Sequence, residues 1–276
     1  MQRRFSQIDV FTVDALFGNP VAVVHDAEGL DDDTMARFAR WTNLSETTFL
    51  LPPTDPAADY RVRIFTPTTE LPFAGHPTLG TCRAWLDAGG MPAAGDTVVQ
   101  QCAAGLITVR RSGEVLSFGA PPLVRSGPVD DGLLAELIDQ LGIERGDVVD
   151  AAWADNGPGW VALLLRDADT VLGVRPGTVD HDIGVAGRHA PGGPVDLEVR
   201  AFFPVRGATV EDPVTGSLNA SLAQWLLGAG VLTAPYVAAQ GTALGRAGRV
   251  HVSSDDAGIW VGGHTVSVVS GTVDLG

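Results

Sequence analysis

Apolar and polar positions alternate from Phe5 to Val24, with a break at Gly18-Asn19-Pro20, and this predicts two strands around a turn. Asp31 to Trp41 follows as a helix, with acids at its start and Met35, Phe38, Ala39 and Trp41 roughly on one face. Asn43-Leu44-Ser45-Glu46 leaves that helix, and Thr47 to Leu51 reads as a strand ended by Pro52-Pro53. Tyr60 to Phe65 alternates cleanly as another strand. Gly75-His76-Pro77-Thr78 then opens a helix that runs through Trp85 and Leu86 to Gly89-Gly90. Only Arg83 and Asp87 in it are charged, so it is expected to be buried nearly all round. Val98 to Val109 reads as one strand with Cys102 inside it.

The Gly- and Pro-rich stretch from Gly119 to Gly132 is taken as a boundary, with an apolar helical run from Leu133 to Leu141 after it. This divides the chain into a first lobe at 1–118, joined by a returning C-terminal strand near 266–276, and a second lobe at 119–265. Trp160 to Leu165 is an apolar strand, and Ser126 to Gly159 and Arg175 to Val195 hold loops rich in Gly, Pro and Asp. Leu197 to Phe203 alternates as Tyr60 to Phe65 does. Glu211-Asp212-Pro213-Val214-Thr215-Gly216-Ser217 opens a second apolar helix that ends in Trp225-Leu226 and glycine. Each half thus carries an alternating strand, a turn and a buried helix, the signature of an internal duplication. Two lobes related by pseudo-symmetry would aim two helix N-termini at one cleft.

Composition narrows the function. Of 276 residues, 45% are hydrophobic and 18% charged, which suits a folded chain with a sizeable core. The formal net charge of −15 offers no basic excess to displace phosphate counterions, so no nucleic-acid partner is expected. Two arginines near the start are not followed by an apolar stretch, and no run is long enough for a membrane span, so no signal peptide, no membrane partner and a cytoplasmic location are expected. Cys82 and Cys102 lack paired metal or redox spacing and read as core residues.

Helix N-termini attract anions, because unpaired N–H groups and the helix dipole both favour negative charge there. Gly75, Thr78, Gly216 and Ser217 are small or hydroxylated and would let a carboxylate approach the backbone; the same residues also suit ordinary capping. Glu46 stands at a strand entrance among apolar neighbours, where burial would raise its pKa toward neutrality, or where it could simply cap or edge the strand. His76 and Asp212 each precede a proline at a helix start, as bases, donors or caps. Gln240-Gly241 and Gly245-Arg246 look like a turn and carry no assigned chemistry.

Taken together, these motifs resemble the PhzF-like proteins of phenazine biosynthesis. The matching stretches are Phe17-Gly18-Asn19-Pro20, Asn43 to Phe49, Phe65-Thr66-Pro67, Glu70 with Ala74 to Gly80, Glu211 to Ser217, Gln240-Gly241 and Gly245-Arg246, and Gly263 to Gly271. They run in order along essentially the whole chain. The resemblance implies an α+β, diaminopimelate epimerase-like fold: two pseudo-symmetric lobes, each a mostly antiparallel sheet wrapped around a central buried helix, with the active site between them. It implies an isomerase of secondary metabolism acting on a small unsaturated carboxylate such as trans-2,3-dihydro-3-hydroxyanthranilate. Glu46 would be the acid–base residue. His76, Asp212 and Ser217 would bind or polarise the substrate, and the Gly75 and Gly216 backbone would receive its carboxylate. No metal, flavin or pyridoxal cofactor is implied, and a homodimer is usual. Leu218 departs from the alanine of many relatives, and would narrow the pocket if it faced the cleft. Two rivals share the fold: a binding protein without catalysis, and a two-thiol epimerase or racemase.

Overall fold

The computed structural model describes residues 2–276. Chain contacts divide it into two compact units: residues up to Gly119 together with Gly262–Gly276, and Ala120–Val261.

The first unit contains β1 (Gln2–Val10), β2 (Asn19–Val24), α1 (Asp32–Thr42), β3 (Glu46–Leu51), β4 (Tyr60–Phe65), β5 (Glu70–Leu71), α2 (Gly75–Asp87), β6 (Thr97–Cys102), β7 (Gly105–Ser112) and β8 (Val115–Gly119). The second holds β9 (Arg125–Pro128), α3 (Asp131–Leu141), β10 (Val148–Asp155), β11 (Val161–Leu165), α4 (Ala168–Gly173), β12 (Ile183–Arg188), β13 (Leu197–Val205), β14 (Ala208–Asp212), α5 (Gly216–Gly228), β15 (Tyr236–Gln240) and β16 (Gly248–Asp255). The last strand, β17 (Gly258–Asp274), begins in the second unit and returns to the first.

In the first unit the sheet closes on itself. β17 pairs with β1, β1 with β2, β2 with β3, β3 with β4, β4 with β6, β6 with β7, β7 with β8, and β8 again with β17. Within it, β2–β3 and β4–β6 are parallel. Closure leaves this ring of strands without an unpaired edge. It wraps α2, which packs against β1, β2, β3, β6 and β8 and is buried from Gly75 to Cys82. The amphipathic α1 covers the outside, where Met35, Phe38 and Ala39 join Phe49 and Phe65 in one apolar cluster.

The second unit repeats this order. β10–β11 is antiparallel, β11–β12 parallel, β12–β13 antiparallel, β13–β15 parallel and β15–β16 antiparallel, which matches β1–β2, β2–β3, β3–β4, β4–β6 and β6–β7 in turn. α5 occupies the place of α2, with Leu218, Leu222 and Leu226 fully buried. The duplication and the expected α+β class are therefore both present.

Some local expectations need correction. Trp41 is 79% exposed and stacks on Phe38. At about 3.6 residues per turn it lies beyond Phe38 on the side away from Met35, so it misses the buried stripe. Val98 to Val109 is not one strand but the hairpin of β6 and β7, in which Cys102 faces Gly105 across a tight turn. Gly105 has φ 108°, a conformation that suits only glycine and makes the reversal there inexpensive. The stretches expected to be loops around Ser126–Gly159 and Arg175–Val195 contain β9, β10 and β12. Asn19 and Pro20 lie within β2; the chain reverses in the loop before them.

Candidate active site

Helix starts separate α2 and α5 from the other helices. Asp31, Asp130 and Asp167 cap α1, α3 and α4, each carboxylate accepting an N–H of the first turn. α2 starts at Ala74 and α5 at Thr215 with no side-chain cap hydrogen bond and no acid in the first turn. Ordinary capping therefore does not explain the small and hydroxylated residues there. Both termini keep the positive end of the helix dipole uncompensated by a cap.

In the first unit, Glu46 and His76 meet. Asn43 ends α1 in the left-handed conformation, φ 54°, and turns the chain so that Glu46 opens β3. β3 runs parallel to β2 with Glu46 opposite Val21, which places the carboxylate next to the Asn19-Pro20 end of β2. His76 sits in the first turn of α2, 5% exposed, and its ring bonds the Pro20 carbonyl. His76 Nε2 stands 3.4 Å from Glu46 Oε2, with the Glu46 side chain 15% exposed.

Burial pushes the His76 pKa down to about 3, so the imidazole is neutral near pH 7. Nε2 makes no hydrogen bond to the protein, so Nδ1 is the nitrogen that donates to Pro20. Nε2 then presents a lone pair to Glu46 Oε2. Glu46 is the side chain that faces this nitrogen.

In the second unit, Asp212, Gly216 and Ser217 come together at the start of α5. Asp212 ends β14 opposite Ala201, and its neighbour Glu211 makes a buried two-pronged pair with Arg200 at 2.9 and 2.8 Å. Thr215 Oγ1 donates to Asp212 Oδ2 at 2.6 Å. Gln240, fully buried, ties the turn together. Its Oε1 accepts from Thr215 N at 3.0 Å and Asn219 Nδ2 at 2.8 Å, and its Nε2 donates to the Asp212 carbonyl at 3.2 Å and Thr215 Oγ1 at 2.9 Å. Ser217 is half-buried, its Oγ accepting from Trp160 Nε1 at 3.0 Å and its carbonyl from Asn156 Nδ2 at 2.9 Å.

Leu218 does not face outward. It is fully buried, and a Cβ added at Gly184 of β12 would lie 2.4 Å from its Cδ1. The larger side chain is accommodated by a glycine under it. Cys82 and Cys102 are buried, and burial raises the Cys82 thiol to about 12, which leaves it protonated and unreactive.

Sequence reasoning missed the roles of Trp160 and Asn156, and it noted Pro20 and Gln240 without a role in the site. Asp182 was also missed: burial and the neighbouring Asp155 raise its carboxyl to about 6. Of these, Gln240-Gly241 and Asn19-Pro20 were visible in the sequence as parts of motifs. Contacts such as Trp160 to Ser217 join distant parts of the chain and leave no local trace.

Comparison with known proteins agrees with this architecture. Residues 8–271 match the family model for phenazine biosynthesis-like proteins, PhzC-PhzF. The chain is 35% identical to antisense-enhancing sequence 1 of Schizosaccharomyces pombe, over 98% of each chain. It is 34% identical to trans-2,3-dihydro-3-hydroxyanthranilate isomerase of Pseudomonas aeruginosa, over 92% of this chain and 91% of that one. The crystal structure of a PhzF-family protein from Enterococcus faecalis superposes with a TM-score of 0.81 at 25% identity, covering 99% of this chain and all of the other. This chain belongs to the PhzF-like, phenazine biosynthesis-like family of isomerases.

Proposed function

We propose that this isomerase acts without a cofactor, moving a proton and the double bonds of a small unsaturated carboxylate of secondary metabolism such as trans-2,3-dihydro-3-hydroxyanthranilate. The observation that carries the reading is the Glu46–His76 pair, a largely buried carboxylate side chain 3.4 Å from a neutral imidazole.

Glu46 takes the proton from one carbon and returns it to another, so the double bonds shift and the formula is unchanged. A carboxylate is a weak base toward C–H, and the charge that develops on the substrate needs stabilising. The uncapped starts of α2 and α5, at Gly75 and Gly216, offer N–H groups for a carboxylate, and the Ser217 hydroxyl offers a further donor. Donors of this kind contribute roughly 3–4 kcal/mol each when aimed at developing charge. Asp212 and His76 complete the substrate-binding set. The protein would work in the cytoplasm as a homodimer.

The test is incubation in D2O with trans-2,3-dihydro-3-hydroxyanthranilate and a panel of unsaturated amino and hydroxy acids, followed by NMR. An isomerised product is expected from one of them, with deuterium at the newly protonated carbon to the extent that the Glu46 carboxyl exchanges with solvent before returning its proton. Absence of any isomerised product across the panel would contradict the reading.

A further inference from the structure

We propose that Trp160 is a positioning residue for Ser217, setting the direction in which the serine hydroxyl donates to a bound carboxylate. This rests on the reading of Ser217 as a ligand-binding group.

An indole N–H only donates. Trp160 Nε1 reaches Ser217 Oγ at 3.0 Å and so occupies one of the two lone pairs of that oxygen. The hydroxyl proton must then point away from Trp160. A serine at a helix start would otherwise rotate freely among its acceptors. Here one direction is removed before any ligand arrives, which lowers the entropic cost of donating to it.

The tryptophan is itself well held. It is 4% exposed, its carbonyl accepts from Ala154 N at 3.0 Å, and the next residue, Val161, opens β11 and donates to the Asp182 carbonyl at 2.9 Å. The turn before it is drawn tight by Asp155 Oδ1, which accepts from Gly157 N and Gly159 N at 2.7 Å each. The same turn supplies Asn156, whose Nδ2 donates to the Ser217 carbonyl at 2.9 Å. Ser217 is thus gripped at two atoms by one β10–β11 connection.

The test is a double-mutant cycle on binding of anthranilate, measured by calorimetry, with Trp160→Phe, Ser217→Ala and both together. Phenylalanine keeps an aromatic ring and removes the donor. Loss of one oriented hydrogen bond should weaken binding about five- to tenfold for Trp160→Phe, and adding it to Ser217→Ala should change binding by less than about twofold. An equal loss in both backgrounds, or none in either, would overturn the role. If Trp160→Phe does not fold, the indole N–H resonance of Trp160 replaces it: anthranilate should move that resonance in the wild type and not in Ser217→Ala, and an unmoved wild-type resonance overturns the proposal. A wild type that does not bind anthranilate also overturns it. Anthranilate lacks the labile ring C–H, so binding is read apart from turnover. A protein that binds it in the expected pattern yet moves no proton on any substrate refutes the proposed reaction and leaves the role of Trp160 standing.

Discussion

Replacing His76 with asparagine should make the protein more resistant to acid. The imidazole is buried and neutral, with its pKa near 3 against an ordinary 6.5. Between those values the unfolded chain binds a proton that the folded one does not, so His76 contributes full stability above about pH 6.5 and loses it as pH falls toward 3. The slope in that window is up to about 1.4 kcal/mol per pH unit. From pH 7 to about pH 4.5, this one group should cost the wild type roughly 2–3 kcal/mol. Asparagine places its Nδ2 where the imidazole Nδ1–H stands and keeps a donor toward the Pro20 carbonyl. It loses ring packing, at about 1–3 kcal/mol near neutrality, but adds nothing that titrates. Urea unfolding of both proteins at the two pH values measures the effect, and titrations of groups remote from His76 cancel in the comparison. The wild type should lose roughly 2–3 kcal/mol more than the variant on acidification. Equal losses would show that His76 is not held neutral.

Other outcomes follow from the same geometry. Gln240→Leu breaks the four hydrogen bonds that knit the α5 start and should destabilise the chain by roughly 2–4 kcal/mol in urea unfolding. Gly184→Ala drives a Cβ against Leu218 and should cost about 1–3 kcal/mol, part of which Leu218→Ala in the same chain should restore. Alkylating reagents should leave activity unchanged while the protein stays folded, because both thiols are buried; inactivation in step with modification of Cys82 or Cys102 would revive the two-thiol reading.

Much of the fold was legible because it depends on local pattern. Tyr60–Phe65 and Leu197–Phe203 read as alternating strands, and α2 and α5 are apolar helices lacking charge at their starts, so the repeat could be seen twice. β12 was missed because Ile183 to Ala186 is buried on both faces and includes Gly184, which erases the alternation. The β6–β7 reversal was missed because its two central residues are Ala103-Ala104, and the single Gly105 after them was its one turn residue. In the site, the individual residues were legible and their partners were not. Glu46 reaches His76 only because β2 and β3 run parallel and Pro20 holds the ring, a pairing set by tertiary structure. Leu218 stood out in the sequence as a departure from relatives, yet its effect depends on Gly184, which lies far away along the chain.

The role of Glu46 is tested most directly by supplying wild type and Glu46→Gln with trans-2,3-dihydro-3-hydroxyanthranilate in D2O and following deuterium by NMR. Glutamine preserves the shape of the side chain and cannot exchange a proton in its place, so the variant should stay folded and its rate should fall by at least about a hundredfold. The wild type should convert the substrate to its isomer, carrying deuterium at the new C–H position to the extent that the Glu46 carboxyl exchanges with solvent. A folded Glu46→Gln protein that isomerises the substrate at the wild-type rate would contradict the assignment of Glu46 as the acid–base residue.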